Sequence, residues 1–359
     1  MALRIRSDLA HIEAYRPGRA IAEVAATYGV DRVAKLASNE SPEPPWPEVQ
    51  KAIADAAAGV HRYPDNARPA ITAALSQHLG VAPDVIWCGG AANEITFITG
   101  LCMGGPGTSA VFAWPSFSLF QIATRTALGS DRPIALTPDH RHDLDAMLAA
   151  VDATTTMVYV CNPNNPTGTH VPADALEQFI AAIPPDVLVL VDEAYADFAT
   201  AADFRSMIPL AATLPNVMVT RTFSKVYALA GLRIGYAVTA ASSIAEFRRV
   251  QLPFSVTSVA EAAAVEALRH QDKVAQRVAA NRAGIEYLTD NLRRLGIDTP
   301  DSQANFVYAG FGERASTVVE ALLQRGIIVR PVLPDGYLRV TVGAVEENER
   351  FIDALDQIL

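Results

Sequence analysis

The 359-residue chain has no apolar run near the roughly 18 residues that cross a bilayer, so no membrane partner is expected. Arg4, Arg6 and Asp8 have no hydrophobic stretch behind them, and a secretory signal is not expected either. Cysteine is scarce: Cys88, Cys102 and Cys161 are odd in number, widely spaced and lack the pairing of a metal site. They read as reduced core thiols of a cytoplasmic protein. No dense lysine and arginine stripe offsets the formal net charge of −10, which argues against a nucleic-acid partner. An anionic ligand therefore needs a local site of positive charge. Internal repeats and low-complexity segments are lacking too.

What is present is a globular composition, 50% hydrophobic and 19% charged, at a length that suits one large and one small domain. Short β-branched runs at 85–88, 109–113, 156–161, 187–192, 216–220 and 233–238 alternate with amphipathic stretches at 93–103, 119–127 and 172–182. Nearly all-apolar strands are those of a mostly parallel sheet with helices on both faces, an α/β domain. Beyond residue 240, helical stretches at 258–270 and 272–295 precede strand candidates at 305–309, 327–329 and 338–342 and a last helix from about 346. This is a smaller α+β domain. The expected division is an N-terminal segment 1–45 packing with the small domain and the substrate site, a large domain 46–245 and a small domain 246–359.

In open α/β sheets ligands bind beyond the carboxyl ends of the strands. Gly89-Gly90-Ala91-Ala92-Asn93-Glu94 leads from a strand into a helix, where backbone N–H groups and the helix dipole suit a phosphate; a plain tight turn uses the same residues. Asn162-Pro163-Asn164-Asn165-Pro166-Thr167-Gly168 is a rigid loop that suggests a positioned amide side chain, against the alternative of a surface turn. Asp192 ends an apolar strand, where a carboxylate is costly to bury without a cation or a protonated nitrogen. A structural ion pair is the competing reading, and Tyr195 follows three residues on. Most lysines are solvated surface charges. Lys225, however, sits among Thr222, Ser224 and an uncharged stretch that would desolvate it and lower its pKa, as a Schiff-base lysine requires. Thr222, Ser224 and Arg233 are placed to close the phosphate cup opened by Ala91, Ala92 and Asn93. Arg339 lies in an apolar strand and offers a planar fork for a carboxylate or phosphate, a surface salt bridge being the plain alternative.

Together these residues resemble the fold-type I pyridoxal-phosphate aminotransferases, in the histidinol-phosphate and aromatic amino-acid (phenylalanine) subgroup. The resemblance rests on His61-Arg62-Tyr63-Pro64-Asp65, Asn164-Asn165-Pro166-Thr167-Gly168, Asp192-Glu193-Ala194-Tyr195, Thr222-Phe223-Ser224-Lys225, Ala230-Gly231-Leu232-Arg233 and Leu338-Arg339-Val340-Thr341, in the family's order over nearly the whole chain. It implies a seven-stranded, mostly parallel sheet and the cofactor pyridoxal 5′-phosphate. Lys225 would carry it as an internal aldimine and then move the substrate's proton. Asp192 would pair with the ring nitrogen, and Asn165 and Tyr195 with the ring oxygen. Ala91, Ala92, Asn93, Thr222, Ser224 and Arg233 would bind the phosphate, and Phe117 would stack on the ring. Tyr63 would reach the partner subunit's cofactor, implying a homodimer with shared sites. Arg339 would bind the substrate's carboxylate or phosphate, with Asn39, Arg330 and Tyr15 also at the substrate. Two departures stand out: Phe117 replaces a frequent tyrosine, and Ala92 stands where serine or glycine is more usual.

Leu36-Ala37-Ser38-Asn39-Glu40 and Ser302-Gln303-Ala304-Asn305-Phe306 look like the aromatic amino-acid branch. Ile86-Trp87, Gly104-Gly105-Pro106-Gly107 and Ala267-Leu268-Arg269-His270 look like the histidinol-phosphate branch. The first group lies nearer the substrate, so an aromatic amino acid with 2-oxoglutarate is the preferred pair and histidinol phosphate the alternative. A lyase of the same fold, such as an amino-acid-phosphate decarboxylase, would share the cofactor residues. A non-catalytic regulatory module would not need so complete a catalytic set.

Overall fold

β-Branched and aromatic side chains fit a pleated, buried surface, and strands covered on both faces leave no room for polar interruptions. The computed structural model describes residues 3–14, 17–332 and 335–359. Among these, eleven strands form two sheets: β1 (Ala34–Leu36), β2 (Ile86–Gly89), β3 (Ser109–Trp114), β4 (Ser130–Ala135), β5 (Thr155–Cys161), β6 (Leu188–Asp192), β7 (Val217–Thr222), β8 (Gly235–Val238), β9 (Phe306–Gly310), β10 (Ile327–Val332) and β11 (Tyr337–Thr341). The larger sheet runs β2-β8-β7-β6-β5-β3-β4, and all its pairings are parallel except the two made by β8. The smaller sheet runs β1-β10-β11-β9. The expected α/β architecture, seven strands plus a smaller α+β unit, is what the chain forms.

Two strands lack the apolar signature. The edge strand β4 carries Asp131, Arg132 and Pro133 and is only half-buried, which an edge tolerates. The three-residue β1 pairs in parallel with β10, so the N-terminal segment contributes a strand to the small sheet.

Side chains alternate across a strand, and here each face has its own core. Val158, Val160, Val189 and Val191 enter one core; Met157, Tyr159, Cys161, Leu188 and Leu190 enter the other. The same alternation turns Asp192 toward the second face, which the helices Ala92–Met103 and Leu119–Thr126 cover through Ile95, Ile98 and Phe120. Cys88 and Cys161 are buried free thiols as expected, but Cys102 is exposed, because it follows Leu101 onto the solvent side of its helix.

The helix Gln271–Arg294 joins both units: Val274 lies in the large core, and Ile285, Leu288 and Leu292 in the small one. Ala260, Ala263, Ala264 and Ala267 of the preceding helix Ser258–Leu268 also lie in the large core. The long helix thus carries residues of both cores. Among the described residues no helix is long and apolar enough to cross a membrane.

The start of β8 passes close beneath the loop after β2. A Cβ on Gly235 would lie 2.5 Å from the Ala92 nitrogen, 2.8 Å from the Ala91 carbonyl carbon and 2.8 Å from the Arg221 oxygen, all backbone atoms that cannot swing away. Gly235→Ala should therefore cost about 2–3 kcal/mol, as overpacking does. Gly231→Ala, with open space around its Cβ, should cost less than about 1 kcal/mol. Urea unfolding of the two variants compares them directly.

Candidate active site

The parallel strands end on one edge of the large sheet, where β8 begins; Gly235 is registered against both Gly89 and Thr222. From β3 the chain moves outward to β4 and returns to β5 on the other side of β3, which makes a switch point at this edge. Lys225, Asp192, Asn165 and the loop 89–93 all emerge here.

Lys225 is half-buried, its Nζ donates to the Ser38 carbonyl at 3.3 Å, and it lies 5.6 Å from the centre of the Tyr195 ring. Burial lowers its pKa to about 7; the positive charges of Arg339 and Arg233 add to the shift, while Glu40 and Asp192 oppose it. A large share of the amine is thus neutral near pH 7, the form that attacks a carbonyl. Asp192 is 3% exposed and accepts from the Ala194 N–H at 3.0 Å. Burial raises its pKa to about 6, against the Ala194 and Thr220 hydrogen bonds and with help from the neighbouring Glu193 charge. A carboxylate whose charge is this costly to bury is the group that a protonated ring nitrogen would stabilise by pairing with it.

Two side-chain bridges cross from the small unit. The Asn39 Nδ2 donates to the Tyr195 hydroxyl at 2.8 Å. Asn39 is 1% exposed and left-handed at φ 54°, a conformation asparagine tolerates better than most residues. Its own backbone N–H donates to Thr341 at 2.9 Å, its Oδ1 accepts from the Thr341 hydroxyl at 3.0 Å, and its carbonyl accepts from Asn305. Burial also pushes the Tyr195 hydroxyl's pKa up. Arg339 donates to Asn165 Oδ1 and to the Ala37 carbonyl, both at 2.6 Å. Arg330 is registered directly opposite Arg339 across β10 and β11.

At the start of the helix Ala92–Met103, Ala91 has φ 81°, and Glu94 accepts from the Gly90 N–H. Ala92 is buried and Asn93 exposed. Thr222 donates to Ser224 at 2.9 Å, and the exposed Arg233 reaches the Ser224 oxygen at 3.4 Å. Since Gly235 touches Ala92 and pairs with Thr222, the loop 91–93 and the hydroxyl cluster share one corner. Phe117 packs edge-on to Phe120 at 5.6 Å. Tyr63 is 83% exposed and stacks on Phe254 at 4.7 Å. Tyr15 lies outside the described residues. Helix N–H groups, hydroxyls and a guanidinium for a phosphate, a poised amine for an aldehyde and a buried carboxylate for a ring nitrogen match the chemistry of pyridoxal phosphate.

Several residues had no role on sequence grounds. In the loop after β5 the buried amides are Asn162 and Asn164, not Asn165: Asn164 accepts from Ser116 at 2.8 Å and donates to Thr167 at 3.0 Å, tying together the loops after β3 and β5. Thr341 and Asn305 hold Asn39, and Glu193 binds Arg221. Each sits inside a quoted motif or beside a site residue, but its partner is distant in sequence.

The chain matches the family of class I and II aminotransferases over residues 31–355. An aromatic amino acid aminotransferase of Nocardia farcinica is 42% identical over 358 residues, covering 98% of this chain and 96% of that protein. A histidinol-phosphate aminotransferase of Pseudomonas aeruginosa is 40% identical over 350 residues, covering 96% and 95%. The crystal structure of a histidinol-phosphate aminotransferase from Sinorhizobium meliloti with pyridoxal 5′-phosphate superposes with TM-score 0.92 at 27% identity, covering 100% of this chain and 98% of that one. A likeness of this extent, over a site of matching chemistry, leaves one assignment: the chain belongs to the class I and II aminotransferases.

Proposed function

We propose that this protein is a cytoplasmic, pyridoxal-phosphate-dependent aminotransferase that moves an amino group from an aromatic amino acid to 2-oxoglutarate. The observation that carries the reading is Lys225, an amine with its pKa lowered to about 7 at an edge that also holds Asp192, Asn165 and Arg339. The aromatic donor is supported by the relatives of that name at 42% and 41% identity and by the rings of Tyr195 and Phe306, 5.1 Å apart, the second beneath Arg339.

When bound, the cofactor supplies an aldehyde carbon for the substrate's nitrogen and a ring that withdraws electrons from the substrate's Cα–H bond. Lys225 would hold the cofactor through Nζ, and the same atom would accept the proton from the substrate's Cα. Asp192 would keep a proton on the ring nitrogen. Asn165 and Tyr195 would donate to the ring oxygen, with Asn39 orienting the Tyr195 hydroxyl for that task. Phe117 would stack on the ring, and Ala91, Ala92, Asn93, Thr222, Ser224 and Arg233 would bind the phosphate. Arg339 takes the substrate's carboxylate on a fork already aimed by Asn165 and Ala37.

The exposed Tyr63, with Val60, Val250, Leu252 and Phe254 also exposed, supports a homodimer in which Tyr63 reaches the partner's cofactor phosphate. A second reading, histidinol phosphate as donor, is favoured by Arg330: facing Arg339 across the ladder, it doubles the positive charge available to a phosphate.

Lys225→Ala should fold and bind the cofactor without the lysine-linked absorbance, and transamination should fall by at least about 10³-fold; full activity in that variant would sink the proposal. Capture of added pyridoxal phosphate by the cofactor-free protein, followed by absorbance, should speed up as pH rises through about 7 and then level off, because only the neutral Lys225 amine attacks. In a comparison of kcat/KM for phenylalanine, tyrosine and histidinol phosphate, the aromatic amino acids should lead. Arg330→Gln should change those two values less than about threefold. A dominant histidinol phosphate value, lost in Arg330→Gln, would establish the second reading.

A further inference from the structure

Directly behind Asp192 and Thr222, on the opposite face of the sheet, lies a closed charge pair that the proposed chemistry does not use. Glu193 follows Asp192 at the end of β6, and Arg221 precedes Thr222 in β7; alternation turns both away from the cofactor face. Glu193 is 1% exposed. Its Oε2 accepts from Arg221 Nε at 3.0 Å, from Arg221 Nη2 at 2.8 Å and from the Ser206 hydroxyl at 2.7 Å. Its Oε1 accepts from the Met207 N–H at 2.6 Å, and its own N–H donates to the Thr220 carbonyl at 2.9 Å. Arg221 also lies 3.5 Å from Asp197.

We propose, resting on the reading of Asp192 given above, that Arg221 is a positioning residue: by closing an ion pair on Glu193 it clamps the ends of β6 and β7 and cancels the negative charge next to Asp192, so that Asp192 keeps its own charge for the cofactor's ring nitrogen.

The argument is one of distance and sign. Two carboxylates on adjacent residues of a buried strand end repel, and the less satisfied one takes up a proton first. Glu193 has four donors aimed at its two oxygens, whereas Asp192 is held by the Ala194 N–H and Thr220. The bidentate fork of Arg221 offsets the Glu193 charge where it would otherwise act on Asp192. The other ionisable groups acting on Asp192 are Lys225, Cys161 and Tyr195. Those around Arg221 are Glu193, Asp197, His78, Tyr227 and Tyr236. Arg221 is the cation on the rear face that touches both Glu193 and Asp197.

The test follows the Asp192 carboxyl in the cofactor-free protein by carbon NMR with labelled aspartate, its signal assigned by difference from Asp192→Asn. The wild-type midpoint is expected at about 6. Arg221→Met should raise it by about one pH unit and Glu193→Gln should lower it by a similar amount, while Arg221→Lys stays within about 0.3 unit of wild type. Fluorescence titration with pyridoxal phosphate at pH 7 should show weaker binding to Arg221→Met, with Arg221→Lys largely rescuing it. A merely structural pair would weaken both single variants without moving the midpoint in opposite directions. Midpoints that stay put, or move the same way, overturn the proposal. If Arg221→Met does not fold, Glu193→Gln decides alone: a lowered midpoint supports the proposal and an unchanged one overturns it. Should Asp192→Asn bind pyridoxal phosphate as tightly as wild type, the role given to Asp192 fails, while the opposed shifts would still stand as electrostatics.

Discussion

A sheet covered on both faces has no room for charge along its strands, because every side chain there enters one core or the other and leaves water behind. The central strands β5 and β6 keep to this constraint from Val158 to Val160 and from Leu188 to Val191, and drop it only where they end. At that edge come Asp192, then Glu193, with Arg221 and Thr222 on the neighbouring strand. The site's chemistry depends on this placement. Burial is the largest cause both of the raised pKa of Asp192 and of the lowered pKa of Lys225. The same surroundings thus bring an acid and a base, by opposite shifts, to within reach of neutral pH.

The small unit completes the edge by reaching back to it. Asn39 spends its side chain on Tyr195 and Thr341 while its carbonyl takes Asn305, so one left-handed residue joins the N-terminal segment, the small sheet and the large unit. Arg339 makes a second bridge through Asn165 and Ala37. Hydrogen bonds with a charged donor are worth about 1.5–3 kcal/mol when well shielded, enough to hold two units in register. The long helix Gln271–Arg294, sharing both cores, is a third connection between the two units.

Several features were legible in the residues alone. The apolar runs of β3, β5 and β6 announced a buried parallel sheet, because period and composition are local properties of the chain. Lys225 was legible for the same reason, as hydroxyl residues and an uncharged stretch surround it in sequence. Edge strand β4 was not, since a half-exposed strand with Asp131, Arg132 and Pro133 needs no apolar run. Nor was β1, whose three residues become a strand only when β10 is beside them. Cys102 was misplaced because composition says that cysteines are usually buried but not which side of a helix faces water.

The family motifs, the two-sheet architecture and the desolvated setting of Lys225 were determined by sequence, each resting on residues that are neighbours along the chain. Tertiary structure decided the partnerships: Asn164 with Ser116, Asn39 with Tyr195, Arg339 with Asn165, Glu193 with Arg221. These pairs are separated by 28 to 174 residues. Their energies depend on distance and on exclusion of water, and neither exists until the strands are laid side by side.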